Sequence, residues 1–179
     1  MAIISFRRLE PHDRAAYRAI RLAALKGEPE NYGSTYEEES VITVLPFEHH
    51  VIEQSPLHVV YGAFSDGELI GITAYFREVR RKLSHRGKVT QVYVAPEHRG
   101  KGLAKQLVKA VVDDAFRQDG LEILTLEVVA TNVAAIRTYE ALEFVEYGLM
   151  ERYFKTDGGY TDQRYMVLSK EQAKEEKKL

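Results

Sequence analysis

Cysteine is absent from the 179 residues, which excludes disulfides, thiolate nucleophiles and cysteine-ligated zinc. No stretch approaches the ~18 apolar residues of a membrane-spanning helix. The opening run Met1-Ala2-Ile3-Ile4-Ser5-Phe6 is too short for the apolar core of a signal peptide. A cytoplasmic protein with no membrane partner is therefore expected. An excess of one charge sign is missing too: 25 Lys and Arg against 27 Asp and Glu leave a formal net charge of −2. That balance gives no electrostatic case for nucleic acid, so an anionic ligand needs a local site. His49 and His50 are adjacent and no His-Glu-x-x-His occurs, so no metal is expected. A Gly-x-Ser-x-Gly nucleophile elbow is also lacking.

What remains is an ordinary globular composition, 45% apolar and 29% charged, at a length that fits one domain. Ile3 to Leu9 reads as a strand, and Glu10-Pro11-His12-Asp13 as a helix entry with Asp13 as N-cap. Ala16, Ala19, Ile20 and Ala23 recur at helical spacing until Gly27 and Pro29. Residues 30–55 are less regular, with a short helix expected from Pro46 to Glu53. Val59–Phe64 and Leu69–Phe76 form a hairpin about Asp66-Gly67. The basic run from Arg77 to Lys88 reads as a solvated loop, and Val89–Val94 as the next strand. Leu103, Leu107, Val111 and Ala115, with Ala104, Val108, Val112 and Phe116 beside them, predict a long amphipathic helix closed by Asp119-Gly120. Ile123–Val129 is a strand with two apolar sides, Thr131-Asn132 opens a helix through Leu142, and Val145–Phe154 and Tyr160–Leu168 make a closing hairpin. These elements predict one α/β domain over residues 1–169, with a charged tail over 170–179 that is either a frayed helix or disordered.

The informative segment is Val92-Tyr93-Val94-Ala95-Pro96-Glu97-His98-Arg99-Gly100-Lys101-Gly102-Leu103-Ala104: a strand, a glycine-bearing turn and a long helix. The first amides of a helix have no internal partner, and the helix dipole is positive there, so such a turn can cradle a pyrophosphate. A nucleoside-triphosphate loop would need Lys-Ser or Lys-Thr where Leu103-Ala104 stand. A dinucleotide fingerprint would need glycine where Lys105 stands. Both readings fail on residues.

Arg99-x-x-Gly102-x-Ala104, after a strand ending Val92-x-Val94-x-Pro96, resembles the signature of the GNAT superfamily of acyl-CoA-dependent N-acetyltransferases. Leu126-Glu127-Val128 followed by Asn132, Ala135, Tyr139 and Phe144 is similar to the family's second block, with Glu143 where glycine is usual. The likeness spans about residues 3–168. It implies a mixed, mostly antiparallel sheet flanked by helices on both faces, splayed at the strand ending near Val94, with acetyl-CoA wedged in the gap.

In such a family the backbone of Val92, Tyr93 and Val94 would hold the pantetheine arm, and the Val94 N–H the thioester carbonyl. Arg99, Gly100, Lys101, Gly102, Leu103, Ala104 and Lys105 would bind the pyrophosphate. Asn132 and Ala135 would border the cofactor, Asn132 also capping its helix, and Tyr139 would protonate the departing thiolate. On the acceptor side stand Tyr36, Glu37 and Gln91. Many members place a carboxylate where this chain has Thr90 and Gln91, so the base must come from elsewhere; Glu37, Glu38 and His85 are candidates by position. The resemblance implies acetyl transfer to a primary amine of a small molecule, or to a peptide N-terminus, or acyl-CoA binding without turnover. It is compatible with a homodimer.

Overall fold

A computed structural model describes residues 2–175. Seven strands form one sheet: β1 (Ile4–Arg8), β2 (His58–Ser65), β3 (Glu68–Arg77), β4 (Arg86–Val94), β5 (Ile123–Val129), β6 (Val145–Thr156) and β7 (Gly159–Ser169). Their order is β1-β2-β3-β4-β5-β7-β6, and every neighbouring pair is antiparallel except β4–β5. Six α-helices accompany them among the described residues: α1 (Arg14–Gly27), α2 (Tyr36–Ser40), α3 (Pro46–Glu53), α4 (Leu103–Arg117), α5 (Val133–Glu140) and α6 (Lys170–Glu175). None is long and apolar enough to cross a membrane.

Two cores form on opposite faces of the sheet. On one, Tyr17, Ile20 and Ala24 of α1 pack with Val51 of α3 against Val60, Phe64 and Ile72. On the other, Leu107, Val108, Val111 and Ala115 of α4 are fully buried against Leu124 and Leu126, with Ile136 and Tyr139 of α5 alongside. Each such aliphatic side chain contributes about 1.5–3 kcal/mol relative to exposure, so α4 is fixed from its first turn to its last.

The structure departs from the sequence reading at two places and sharpens it at two more. Asp13 precedes α1 but does not cap it; its carboxylate accepts two bonds from Arg7 (2.6 and 3.0 Å) and one from the Glu10 amide (2.8 Å). The segment before α3 contains a further helix, α2, opened by a reciprocal cap between Thr35 and Glu38. The basic run is a loop at its centre, where residues 78–85 turn and Arg80, Arg81 and Lys82 are exposed, but its ends are strand: Arg77 ends β3 and bonds the Ser84 and Asp119 carbonyls (2.6 and 2.8 Å), while Arg86–Lys88 begin β4. The tail opens as α6, in keeping with the helical reading, and residues 176–179 lie outside the described residues.

Beneath α3 the rings of His50 and His58 stack 4.1 Å apart at 14°, between Phe47 and Phe76. Burial lowers the pKa of both histidines, and the neighbouring imidazoles lower that of His50 further. The folded state thus favours neutral rings and the unfolded chain binds more protons. Stability from this pair is full above the ordinary histidine pKa and is lost as pH falls through the lowered values. The melting temperature should drop between pH 7 and pH 5, and His58→Phe should flatten that drop; an equally steep profile in the variant would contradict the assignment.

Candidate active site

Strands β4 and β5 share only three rungs, Arg86 with Ile123, Gly87 with Leu124 and Lys88 with Thr125. Beyond them β5 stays with β7 out to Val129 and Gln163, while β4 follows β3. Gln91 sits at φ 57° beside an irregularity in the β3–β4 register, the local kink and added twist expected of a bulge. The strands part, and a cleft of about 950 Å³ opens between them. Val92 and Val94 form one wall; Leu126 to Val129 and the start of α5 form the other.

At the mouth of the cleft lies the glycine turn. Gly100 and Gly102 have φ of 75° and 71°, and a Cβ on either would meet no protein atom within 4 Å. The turn holds this left-handed geometry while leaving open space above it. The backbone amides of residues 100–105 find no acceptor among the described residues; the first to do so is Gln106, on the Gly102 carbonyl at 3.2 Å. Six successive donors at the positive end of α4 make an anion cradle. The residues present therefore fit a diphosphate. Lys105 borders the cleft, and Leu103 contributes its backbone while its side chain anchors the core. Arg99 is turned aside: its Nε donates to the Val94 carbonyl at 2.8 Å and its Nη1 pairs with Glu28. The Lys101 side chain is exposed and does not line the cleft.

Asn132 caps α5, its Oδ1 accepting from the Ala135 amide at 3.1 Å, and its Nδ2 donates to Asn31 at 3.0 Å. Ala135 and Tyr139 face the cleft from the same helix. The Tyr139 ring stands edge-on to Phe144 with centroids 6.1 Å apart. Its hydroxyl has no hydrogen bond among the described residues, and burial pushes its pKa up, so it stays a protonated donor.

Tyr36 and Glu37 lie off the cleft. The Tyr36 ring faces Lys26 and Glu37 is exposed on the first turn of α2. That turn instead sends Glu39 inward, where it is buried and takes a two-point bond from Arg21 (2.9 and 2.6 Å). Arg21 also lies over the Tyr32 ring. Gln91 does line the cleft, accepting from the Tyr17 hydroxyl at 2.8 Å. Burial pushes the Tyr17 and Tyr32 phenols up as well, so both remain neutral.

Glu37, Glu38 and His85 are all outside the cleft. Its carboxylates are Glu28, Glu30, Glu39 and Glu127. Glu127 was legible in principle. Leu124, Leu126 and Val128 alternate into the core, which turns Glu127 to the opposite side of β5. It receives a 2.6 Å bond from Lys88, at the last rung before the strands separate. Away from the cleft, His49, His50 and Glu53 bring one ligand atom each within 4.8 Å, but His49 already pairs with Glu53 at 3.2 Å.

The profile of the Acetyltransferase (GNAT) family matches residues 19–144. Spermidine N(1)-acetyltransferase of Vibrio cholerae is 36% identical over 84 residues, 47% of this chain and 49% of that protein. The [ribosomal protein bS18]-alanine N-acetyltransferase of Escherichia coli is 35% identical over 77 residues, 43% and 51% of the two chains. The chain thus spans about half the length of the curated relatives it matches. Among solved structures, a GNAT-family acetyltransferase of Streptococcus pneumoniae superposes with a TM-score of 0.82 at 23% identity, over 93% of this chain and 99% of that one. A Salmonella typhimurium protein solved with its cofactor acetyl-CoA gives a TM-score of 0.74 at 22% identity, over 93% of each chain.

Proposed function

As the chain belongs to the GNAT family of acetyltransferases, we propose that it transfers the acetyl group of acetyl-CoA directly to a primary amine of a small molecule. The observation that carries this reading is the parted β4–β5 pair with six unpartnered amides at its mouth. An anionic head would rest on those amides and a linear arm would enter between two strand edges. Acetyl-CoA supplies the activated thioester. We assign the acetyltransferase unit to residues 1–169 and place the protein in the cytoplasm.

The residues divide the work. Amides 100–105 and Lys105 hold the pyrophosphate, and the backbone of Val92 to Val94 lines the arm, with the Val94 N–H directed at the thioester oxygen as an oxyanion donor. Ala135 packs beside the arm. Glu127 would take the ammonium proton of the acceptor and pass it to solvent; the neutral nitrogen would then bond to the acyl carbon, giving its second proton to Glu127, as the carbon–sulfur bond breaks. Tyr139 gives its proton to the departing sulfur and regains one from solvent. Freeing a lysine-like amine of its proton at pH 7 costs about 4.6 kcal/mol, against about 1–1.4 for an α-amine, so a carboxylate at Glu127 matters most for the more basic acceptors. Glu127→Gln should cut turnover at pH 7 roughly thirtyfold, and less at pH 9, where more amine is already neutral. Equal loss at both pH values would argue against the base.

Relatives named for spermidine, for a ribosomal-protein alanine and for methionine sulfoximine do not select one acceptor. Gln91, Tyr17 and Tyr32 wall the acceptor end in this reading. Thiol release from acetyl-CoA against amino acids, polyamines, aminoglycosides and peptides tests it. Release with small amines supports the proposal; release with peptides alone moves the acceptor to a protein N-terminus. Tight acetyl-CoA binding with no turnover on any amine would instead make the chain a binding module. Self-association through the outer strand β6, where Tyr147, Leu149 and Met150 are 50–56% exposed, belongs to the same reading.

A further inference from the structure

A continuous polar chain crosses the mouth of the cleft. Arg99, beside the glycine turn, pairs with one carboxylate oxygen of Glu28. The other oxygen accepts from Asn31 Nδ2 at 3.3 Å, and Asn31 Oδ1 accepts from Asn132 Nδ2 at 3.0 Å. One residue further, the Tyr32 hydroxyl donates to the Val92 carbonyl at 3.3 Å on the free edge of β4. The 29–31 turn itself packs against β5. Residues 28–32 thus tie the phosphate turn, the edge of β4 and the cap of α5 to one another.

Every group they hold belongs to the wall that a cofactor would use. Arg99 would otherwise face the pyrophosphate cradle, the Val92 carbonyl lies on the unpaired strand edge, and Asn132 Nδ2 is the one donor of that side chain's amide with a partner across the gap. Resting on the acetyl-CoA reading above, we propose that Glu28 and Asn31 form a latch that competes with the cofactor, making Glu28 a positioning residue that acts through Arg99. The apparent affinity of a protein for its ligand is reduced by the fraction of molecules in the competent state, so a latch that is mostly closed weakens cofactor binding. Opening it presents a cation beside the cradle and frees the entrance in one event.

The test is calorimetric titration of coenzyme A into the full chain, wild type against Glu28→Gln, Asn31→Ala, Arg99→Gln and the Glu28→Gln/Arg99→Gln double variant. Glu28→Gln should tighten binding about fivefold and make it more salt-dependent, since Arg99 keeps its Nε bond to the Val94 carbonyl while its terminal nitrogens are freed to turn to the pyrophosphate. Asn31→Ala, which acts through Asn132, should also tighten it. Arg99→Gln in the Glu28→Gln background should remove the gain. Unchanged or weaker binding in both Glu28→Gln and Asn31→Ala would overturn the latch, since loosened folding cannot tighten a ligand. Failure of the wild type to bind coenzyme A would overturn the underlying reading instead, so the two failures are distinct.

Discussion

Tyr139→Phe is expected to lower turnover about a hundredfold while leaving acetyl-CoA affinity within about twofold, the size of effect seen when one positioned acid is removed. The substitution keeps the ring, and with it the edge-on contact to Phe144 and the packing of α5. Only the hydroxyl goes. That hydroxyl borders the cleft without a partner among the described residues, so its loss orphans no neighbour and leaves the fold intact. Burial raises its pKa, which sets a second expectation. A phenol held above its ordinary value stays protonated throughout the neutral and mildly alkaline range, so no loss of rate below about pH 10 should trace to its ionisation. Steady-state kinetics beside a direct binding titration separate the two quantities; undiminished turnover would remove Tyr139 from the proton path.

The second large effect is on binding. Gly102→Val should weaken acetyl-CoA binding by more than about a hundredfold, with a smaller cost to stability of about 1–2 kcal/mol from the left-handed backbone. The two consequences come from different facts. The strain follows from φ of 71°, which a β-branched residue resists, whereas the space around the position is empty of protein. A side chain there would stand over the amides of residues 103–105, where the diphosphate is proposed to rest. The variant should therefore fold and melt a few degrees early, yet give no heat on titration with coenzyme A. Wild-type affinity in a folded Gly102→Val protein would contradict the phosphate assignment.

How much was readable beforehand depended on the range of the interaction. Helix α3 and strand β5 fall on the residues expected, because both owe their limits to local composition and chain breakers. The turn at 99–104 was visible for the same reason: its glycines and the helix behind it are contiguous. Helix α2 was missed although Thr35 and Glu38 carry a capping box, since five residues offer too little periodicity to outweigh an irregular surround. Of the three acceptor-side residues, Gln91 lines the cleft, whereas the same helix carries Tyr36 and Glu37 off it. One turn separates exposed Glu37 from buried Glu39, and only the position of Arg21 on α1 decides which of them enters. Arg99 was expected at the pyrophosphate but is tied to Glu28, a partner set by how α1 ends against the turn. Glu127 lay within the second block, yet its place in the cleft needed the sheet: alternation gives its side, and only the parting of β4 from β5 opens that side into a cleft.

The three-rung seam keeps the two strand edges it creates away from other molecules. Unpaired strand edges ordinarily invite a neighbouring molecule's strand and so lead towards aggregation. Here the fold makes two such edges by parting β4 from β5, but it makes them facing one another inside the sheet, with residues 28–32 across the opening. Side-chain donors from Tyr32 and Arg99 occupy the Val92 and Val94 carbonyls, so backbone groups proposed to hold a ligand are not put on offer to another chain's strand. A docking slot and a safeguard against sticky edges are the same piece of geometry.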